Sequence, residues 1–338
     1  MSRALALVFL AVTVLGAAPD KRLEAIRHAK VWTATDVKSM NLKAGPQGPL
    51  AFPPGQTVTC DWVNKAHGTG STPKFHCKLP SGRDLKVRYG KTNGEVYAQV
   101  AASRLMWALG FPANPMYPVK VVCRGCPADP FNAKGAPAPG TAPAVFDPAT
   151  IDEDLGGTTV ETKPEEGWKW KELDLIDESA GGAMRAQRHA LKLLAVFIQH
   201  SSNKAINQRI VCSDPPSCSK TAMMIADVGK TFGAANAGNN DAIAAANFAR
   251  WSGEKIWKDS AACVGNLHWT WSGSLSDPRI SEAGRKLLAD ALNQLTDSQL
   301  RDLFEVARFQ ERDPSATIVQ WIDAFKRKRA EITNRKCD

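Results

Sequence analysis

The chain has 338 residues, 43% hydrophobic and 23% charged, with a formal net charge of +9 at neutral pH. These proportions exclude a chain dominated by disorder, and the length is enough for one large core or two lobes. The charge invites a nucleic-acid partner, but there is no zinc-finger spacing and no basic run interleaved with aromatics, so none is expected.

Residues 4–14 are an apolar run behind Arg3 that ends at Gly16-Ala17-Ala18, the small-residue pattern a signal peptidase cuts. Residues 1–18 therefore read as a signal peptide, and the mature chain as secreted or periplasmic. No run approaches the roughly 18 apolar residues that cross a bilayer, so no membrane span is expected. All eight cysteines follow this segment, and export makes disulfides the default. Local pairing gives Cys60 with Cys77, Cys123 with Cys126, Cys212 with Cys218 and Cys263 with Cys337, one among roughly a hundred possibilities. A zinc site of Cys123, Cys126, Cys212 and Cys218 is the less favoured alternative, because the gap in the second pair is looser than usual zinc spacing.

A helix is expected over residues 21–30. From 57 to 89 apolar and polar residues alternate between Gly, Pro and Ser turns, which predicts strands at 58–62, 74–79 and 84–89. The first two are joined by a loop containing His67-Gly68-Thr69-Gly70-Ser71-Thr72-Pro73. Residues 95–109 have helical character, with Ala98, Ala101, Ala102, Leu105 and Leu109 on one apolar face and Gly110 as the stop. A further strand follows at 116–123. Residues 127–167 shift to Pro, Gly, Ala and acids and read as a loop or insertion.

Helical patterning returns at 183–199, where Leu191, Leu194, Ala195 and Ile198 form a stripe leading into His200. Beyond residue 242 the chain reads as mainly helical, most clearly at 280–292, 297–309 and 316–330. Lys326-Arg327-Lys328-Arg329 ends the last of these, where cations complement the helix dipole and stay solvated. Trp168, Trp170, Trp251, Trp257, Trp269 and Trp271 read mostly as core. A strand-rich half thus precedes a helical one, giving an α+β fold class with an N-lobe over 19–126 and a helical C-lobe over 168–338.

The chemistry is carried by residues in a fixed order. The turn with Gly70, Ser71 and Lys74 offers backbone N–H groups to a phosphate. Lys86 and Arg88 share one face of the third strand, opposite Leu85 and Val87, so either can reach phosphates. Lys86 is the first choice, as the usual point charge there. Glu95 and Gln99 lie on the following helix. The run from His200 to Asn207, a short hairpin and then Asp227-Val228-Gly229 match the kinase pattern H-R-D-x-x-x-x-N and D-F-G. The two metal positions are Asn207 and Asp227, the base position is Ser202, and Lys204 matches a phosphate-contacting lysine. His200 is scaffold. No G-x-S-x-G, H-E-x-x-H or Walker A pattern points elsewhere.

Three stretches carry a family resemblance. Ser71-Thr72-Pro73-Lys74-Phe75 resembles the phosphate-loop segment of HipA-type proteins. Gln99-Val100-Ala101-Ala102-Ser103-Arg104-Leu105, continuing through Leu109-Gly110-Phe111, resembles the αC helix of HipA-type toxin kinases and Golgi casein kinases. Asp227-Val228-Gly229-Lys230-Thr231-Phe232-Gly233 resembles the metal-binding turn of the Golgi casein kinases. Over residues 57–235 the chain is thus similar to the atypical kinase superfamily that contains both. The resemblance implies a two-lobed protein-kinase-like fold with a small strand-rich N-lobe, one αC-like helix and a helical C-lobe. It also implies ATP, or another nucleotide, with Mg²⁺ or Mn²⁺.

The departures set the expectation. The αC glutamate falls at Gln99, and Glu95, one turn earlier on the same face, can replace it. The base falls at Ser202, whose alcohol accepts no proton usefully at neutral pH, and losing a general base costs about 10²- to 10⁴-fold in rate. A pseudokinase or weak phosphotransferase that binds nucleotide and divalent metal is expected, with a possible extracellular or periplasmic protein partner. The alternatives are an active secreted kinase and a disulfide-stapled binding or scaffold protein without nucleotide.

Overall fold

The computed structural model describes residues 20–65, 70–133, 142–153, 156–160, 166–235, 244–268 and 273–337. Residues 1–18, expected as a signal peptide, and His67-Gly68-Thr69, Trp269 and Trp271 lie outside the described residues. No helix among the described residues is long and apolar enough to cross a membrane.

Five strands close into a barrel in the order β1 (Thr57–Val63), β2 (Lys74–Lys78), β3 (Asp84–Tyr89), β5 (Ala144–Asp152) and β4 (Met116–Arg124). The alternation read in the sequence is what closes it. Val58 and Cys60 on β1, Phe75 and Cys77 on β2, and Leu85 and Val87 on β3 all point into one small core. Phe75 sits opposite Val87 and Cys77 opposite Leu85, and a parallel pairing of β1 with β4 joins the ends.

Strand β5 corrects the reading of residues 127–167 as loop. It lies between β3 and β4 and pairs with both. Its sequence hides it, because Pro148 has no N–H for the ladder and ordinarily argues against a strand. The ladder with β4 shifts register between Val119 and Val121, opposite Asp147-Pro148, and so absorbs the proline.

Helix α1 is Lys21–Arg27 and α2 is Glu95–Ala108. The apolar face expected on α2 is an understatement, since every residue of it but Trp107 is buried. Its side chains belong to the large core of the helical half, as do Ala25 and Ile26 of α1, while the barrel keeps its own core. The packing boundary therefore falls within the expected N-lobe: α1 and α2 join the helical half.

That half contains α3 (Arg185–Phe197), α4 (Phe248–Gly253), α5 (Glu282–Asn293), α6 (Asp297–Val306), α7 (Phe309–Arg312) and α8 (Ile318–Thr333). Reciprocal capping boxes, Thr296 with Gln299 and Thr317 with Gln320, start α6 and α8. Short strands β9 (Trp257–Asp259) and β10 (Val264–Gly265) interrupt the expected run of helices. Phe197, Phe232, Trp251, Phe304, Phe309, Trp321 and Phe325 form the aromatic centre, where Trp251 stacks on Trp321 with ring centroids 5.6 Å apart. Trp168, Trp170 and Trp257 are buried as well.

The basic run 326–329 is not uniformly solvated. Lys328 is buried over the Trp251 ring and donates to the Glu254 carbonyl; burial lowers its pKa to about 8. Arg329 donates to the carbonyls of Leu292 and Leu295 near the end of α5. All four local disulfides form, with Cα separations of 5.7, 5.5, 5.1 and 5.7 Å in chain order.

Candidate functional site

The loop at 200–207 is held from below. Ser201 N–H donates to the Lys230 carbonyl at 2.9 Å, and the Asn203 amide donates to the His200 carbonyl at 2.6 Å. The Asn203 side-chain oxygen accepts from Leu275 N–H, and its carbonyl accepts from the Trp170 indole, both at 2.8 Å. The imidazole of His200 is buried, which lowers its pKa to about 4 and keeps it neutral.

The hairpin of β7 (Gln208–Cys212) and β8 (Thr221–Ile225), edged by the two-residue β6 (Thr158–Thr159), brings Asn207 and Asp227 together at its open end. The Asn207 carbonyl accepts from both Ala226 N–H and Asp227 N–H at 3.0 Å. The Asn207 amide nitrogen donates to the Ser202 hydroxyl at 2.7 Å and to its carbonyl at 2.8 Å. Asp227 turns back on its own loop, Oδ1 accepting from Gly229 N–H at 2.9 Å. A Cβ at Gly229 would stand 3.0 Å from the Glu95 side chain, which would have to give by a few tenths of an ångström to admit a larger residue.

Arg88 joins the elements. Only 3% exposed, it donates to Glu95 on α2 and, at 2.9 Å, to Asp227 Oδ2, and it lies 4.0 Å from Asp152 on β5. Burial alone would lower the pKa of its guanidinium, but Asp227, Glu95 and Asp152 outweigh that and raise it. Burial likewise pushes the Asp227 carboxyl up, and Arg88 followed by Lys86 overcomes this, holding it well below the usual carboxylate range.

Lys86 pairs instead with Asp152 at 2.8 Å, at the cavity rim. The strand cation that meets the helix carboxylate is thus Arg88. Lys74 donates to the carbonyls of Gly70 and Thr72 at 3.3 and 3.2 Å, and its pKa is lowered by burial first and by Arg88 second. The Thr72 hydroxyl donates to Glu95 at 3.0 Å.

Gly70, Ser71, Lys74, Lys86, Arg88, Glu95, Ser202, Lys204, Asn207 and Asp227 all line one cavity of ≈ 450 Å³. Gln99 does not. It is buried beneath β5 and donates to the Thr150 hydroxyl, so Glu95 is the helix carboxylate that faces the site. Sequence reasoning passed over Thr72, Asn114, Glu166, Arg209 and Lys230, which also line it. Two of these had a signal: Lys230 directly follows Asp227-Val228-Gly229, and Arg209 lies two positions beyond Asn207. Asp152 had none, because its strand was not recognised.

Six basic and three acidic side chains line the cavity, so its walls favour a multiply charged anion. Its size lies within the range of about 300–1,000 Å³ typical of small-molecule sites, and a nucleoside phosphate fits it. A resident divalent cation does not fit the donor set. Of the two expected ligands, Asp227 is engaged at both oxygens, Oδ2 by Arg88 and Oδ1 by Gly229 N–H, and the Asn207 amide nitrogen is turned to Ser202.

No family model matches the chain, and no curated protein matches it. Among solved structures it is similar to CtkA, described as a proinflammatory kinase of Helicobacter pylori. The two share 10% identity at a TM-score of 0.41, over 84% of this chain and 95% of that one.

Proposed function

We propose that this is an exported protein of kinase-like fold that binds a nucleotide in the 70–230 cleft and transfers phosphate slowly or not at all. One observation supports this above others. Five separate segments (the 70–74 turn, β3, the start of α2, the 202–207 loop and the Asp227 turn) deliver their side chains to a single cationic cavity, in the order a kinase requires. Lys74, Lys204 and Lys230 supply positive charge for phosphates, and Arg88 orders Glu95 and Asp227 around them. At the base position Ser202 presents a hydroxyl engaged by Asn207, so no group there takes the substrate proton. The four disulfides support function in an oxidising compartment.

The test is thermal denaturation of the oxidised protein with and without ATP, beside transfer of label from the γ-phosphate. The expected result is stabilisation by ATP without transfer, and loss of the stabilisation in a Lys74→Met, Lys204→Met double variant. No response to ATP, or an equal response from the double variant, removes the assignment. Self-labelling by the wild type would make it an active kinase. Labelling only in Ser202→Asp would show that the missing base is what silences it.

A further inference from the structure

We propose that the cleft holds the phosphates of its nucleotide without a divalent cation, the buried guanidinium of Arg88 standing where the charge of a metal ion would otherwise be needed. This rests on the nucleotide reading above and concerns how that same site works.

A kinase-type cleft meets a polyphosphate with an aspartate, and the two repel unless a cation lies between them. Here the compensating cation is part of the chain. Arg88 engages Asp227 Oδ2 at 2.9 Å, while Gly229 N–H occupies Oδ1 at the same distance. The guanidinium is fixed from three sides. It belongs to a strand paired with Lys74 on β2 and Thr150 on β5, it is ion-paired with Glu95, and it is 3% exposed. Swinging aside to release Asp227 would take it from Glu95 as well, leaving that buried carboxylate with the more distant Lys230 ammonium at 4.0 Å.

The second expected ligand is also committed. The Asn207 amide nitrogen is turned to the Ser202 hydroxyl and carbonyl, so the residue has only a neutral oxygen to offer. Mg²⁺ requires near-octahedral coordination at about 2.0–2.1 Å and gives up its water reluctantly. One amide oxygen and one carboxylate already claimed by a guanidinium are a poor return for that dehydration.

The phosphate side of the balance points the same way. The lining carries six cations, Lys74, Lys86, Arg88, Lys204, Arg209 and Lys230, against the three carboxylates Glu95, Glu166 and Asp227, with Asp152 on Lys86 at the rim, so positive charge is in excess even when every carboxylate is counted. A metal-free triphosphate keeps its full negative charge for these groups; chelation by Mg²⁺ spends part of it. Binding should therefore be at least as tight without the metal as with it.

The experiment is equilibrium titration of the full-length oxidised protein with ATP, once in excess EDTA and once in excess MgCl₂ or MnCl₂. We expect dissociation constants that agree within about threefold, or tighter binding in EDTA. Asp227→Asn should bind metal-free ATP as well as the wild type or better, since it removes an anion beside the phosphates. Binding that needs Mg²⁺ or Mn²⁺ and weakens about tenfold or more in Asp227→Asn overturns metal independence while leaving the nucleotide assignment intact. No binding in either buffer overturns both.

Discussion

Two cavities of nearly equal size lie at opposite ends of helix α2, and they differ in almost everything else. The one of ≈ 450 Å³ at the start of the helix takes Glu95 from it, with charged residues from strands and loops. The other, of ≈ 480 Å³, takes Ser103 and Trp107 from near its end and is walled by Trp32, Leu50, Phe111, Tyr117 and several prolines. In the polar cavity the central charges are aimed by partners, Arg88 by Glu95 and Asp227, Lys86 by Asp152. In the apolar one polar groups turn to the backbone instead, the Trp32 indole donating to the Leu109 carbonyl at 2.8 Å and the Thr35 hydroxyl to the Ala108 carbonyl at 2.6 Å. Volume alone does not mark a site; convergent polar groups with fixed geometry do.

The sharpest way to break the contrast is at Arg88. Arg88→Met should leave Glu95 and Asp227 without their cation and cost about 3–5 kcal/mol, read as a shift in the denaturant midpoint under oxidising conditions. Arg88→Lys should cost less but remain destabilising, because one ammonium cannot reproduce the fork that spans both carboxylates. A cost near zero for Arg88→Met would mean that the cluster does not organise the polar cavity.

Acid should separate the regions next. His200, beneath the polar cavity, and His189, whose Nδ1 accepts from Ser281 N–H, both fall from an ordinary value of 6.5 to about 4 through burial. The unfolded chain then binds more protons than the folded one between those values, so stability rises with pH across the window and is lost as pH falls from about 6.5 to about 4. Asp227 acts lower down: its contribution is complete above the ordinary carboxylate value of 3.8, declines as pH falls below it, and is lost once pH passes the depressed folded value. His200→Leu should therefore flatten part of the slope of unfolding free energy between pH 6.5 and 4, and His189→Leu another part. An unchanged slope in His200→Leu would show that its imidazole stays accessible to protons.

What was legible in the sequence follows from how local each signal is. Asn207 and Asp227 could be paired because a single hairpin joins them, and the four disulfides because each partner is near in sequence or at a chain end. Residues 84–89 were read to the residue, since their alternation is uninterrupted. Where the determinant is a partner on a distant strand, the sequence was silent. Lys86 and Arg88 are equivalent by alternation, and only Asp152 on the unrecognised β5 decides that Lys86 turns to the rim while Arg88 turns inward. Gln99 and Glu95 share a helix face, and the choice between them rests on Thr150, also on β5. One missed strand therefore accounts for both ambiguities in the candidate site. The apolar cavity had no periodic signature, because its walls come from irregular segments around Pro46, Pro49, Pro112 and Pro115.

The smallest effects should come from the apolar cavity, and they sharpen the contrast because they should not spread. Trp107 is partly exposed and borders an existing void, so Trp107→Ala should cost about 2 kcal/mol, below the usual toll of about 3–5 for a fully packed aromatic, and leave the ATP response unchanged. Leu50, 46% exposed at the rim, has little burial to lose, and Leu50→Ser should shift stability by no more than about 0.5 kcal/mol. Both variants are best measured in parallel, with chemical unfolding for stability and ATP titration for the polar cleft. If either change weakened ATP binding by about tenfold, α2 would be transmitting strain from one end to the other, and the two cavities would have to be treated as one coupled system. If neither does, the burial of α2 along nearly its whole length is what keeps them independent: a helix fixed on all sides cannot tilt to relay a change at Trp107 to Glu95.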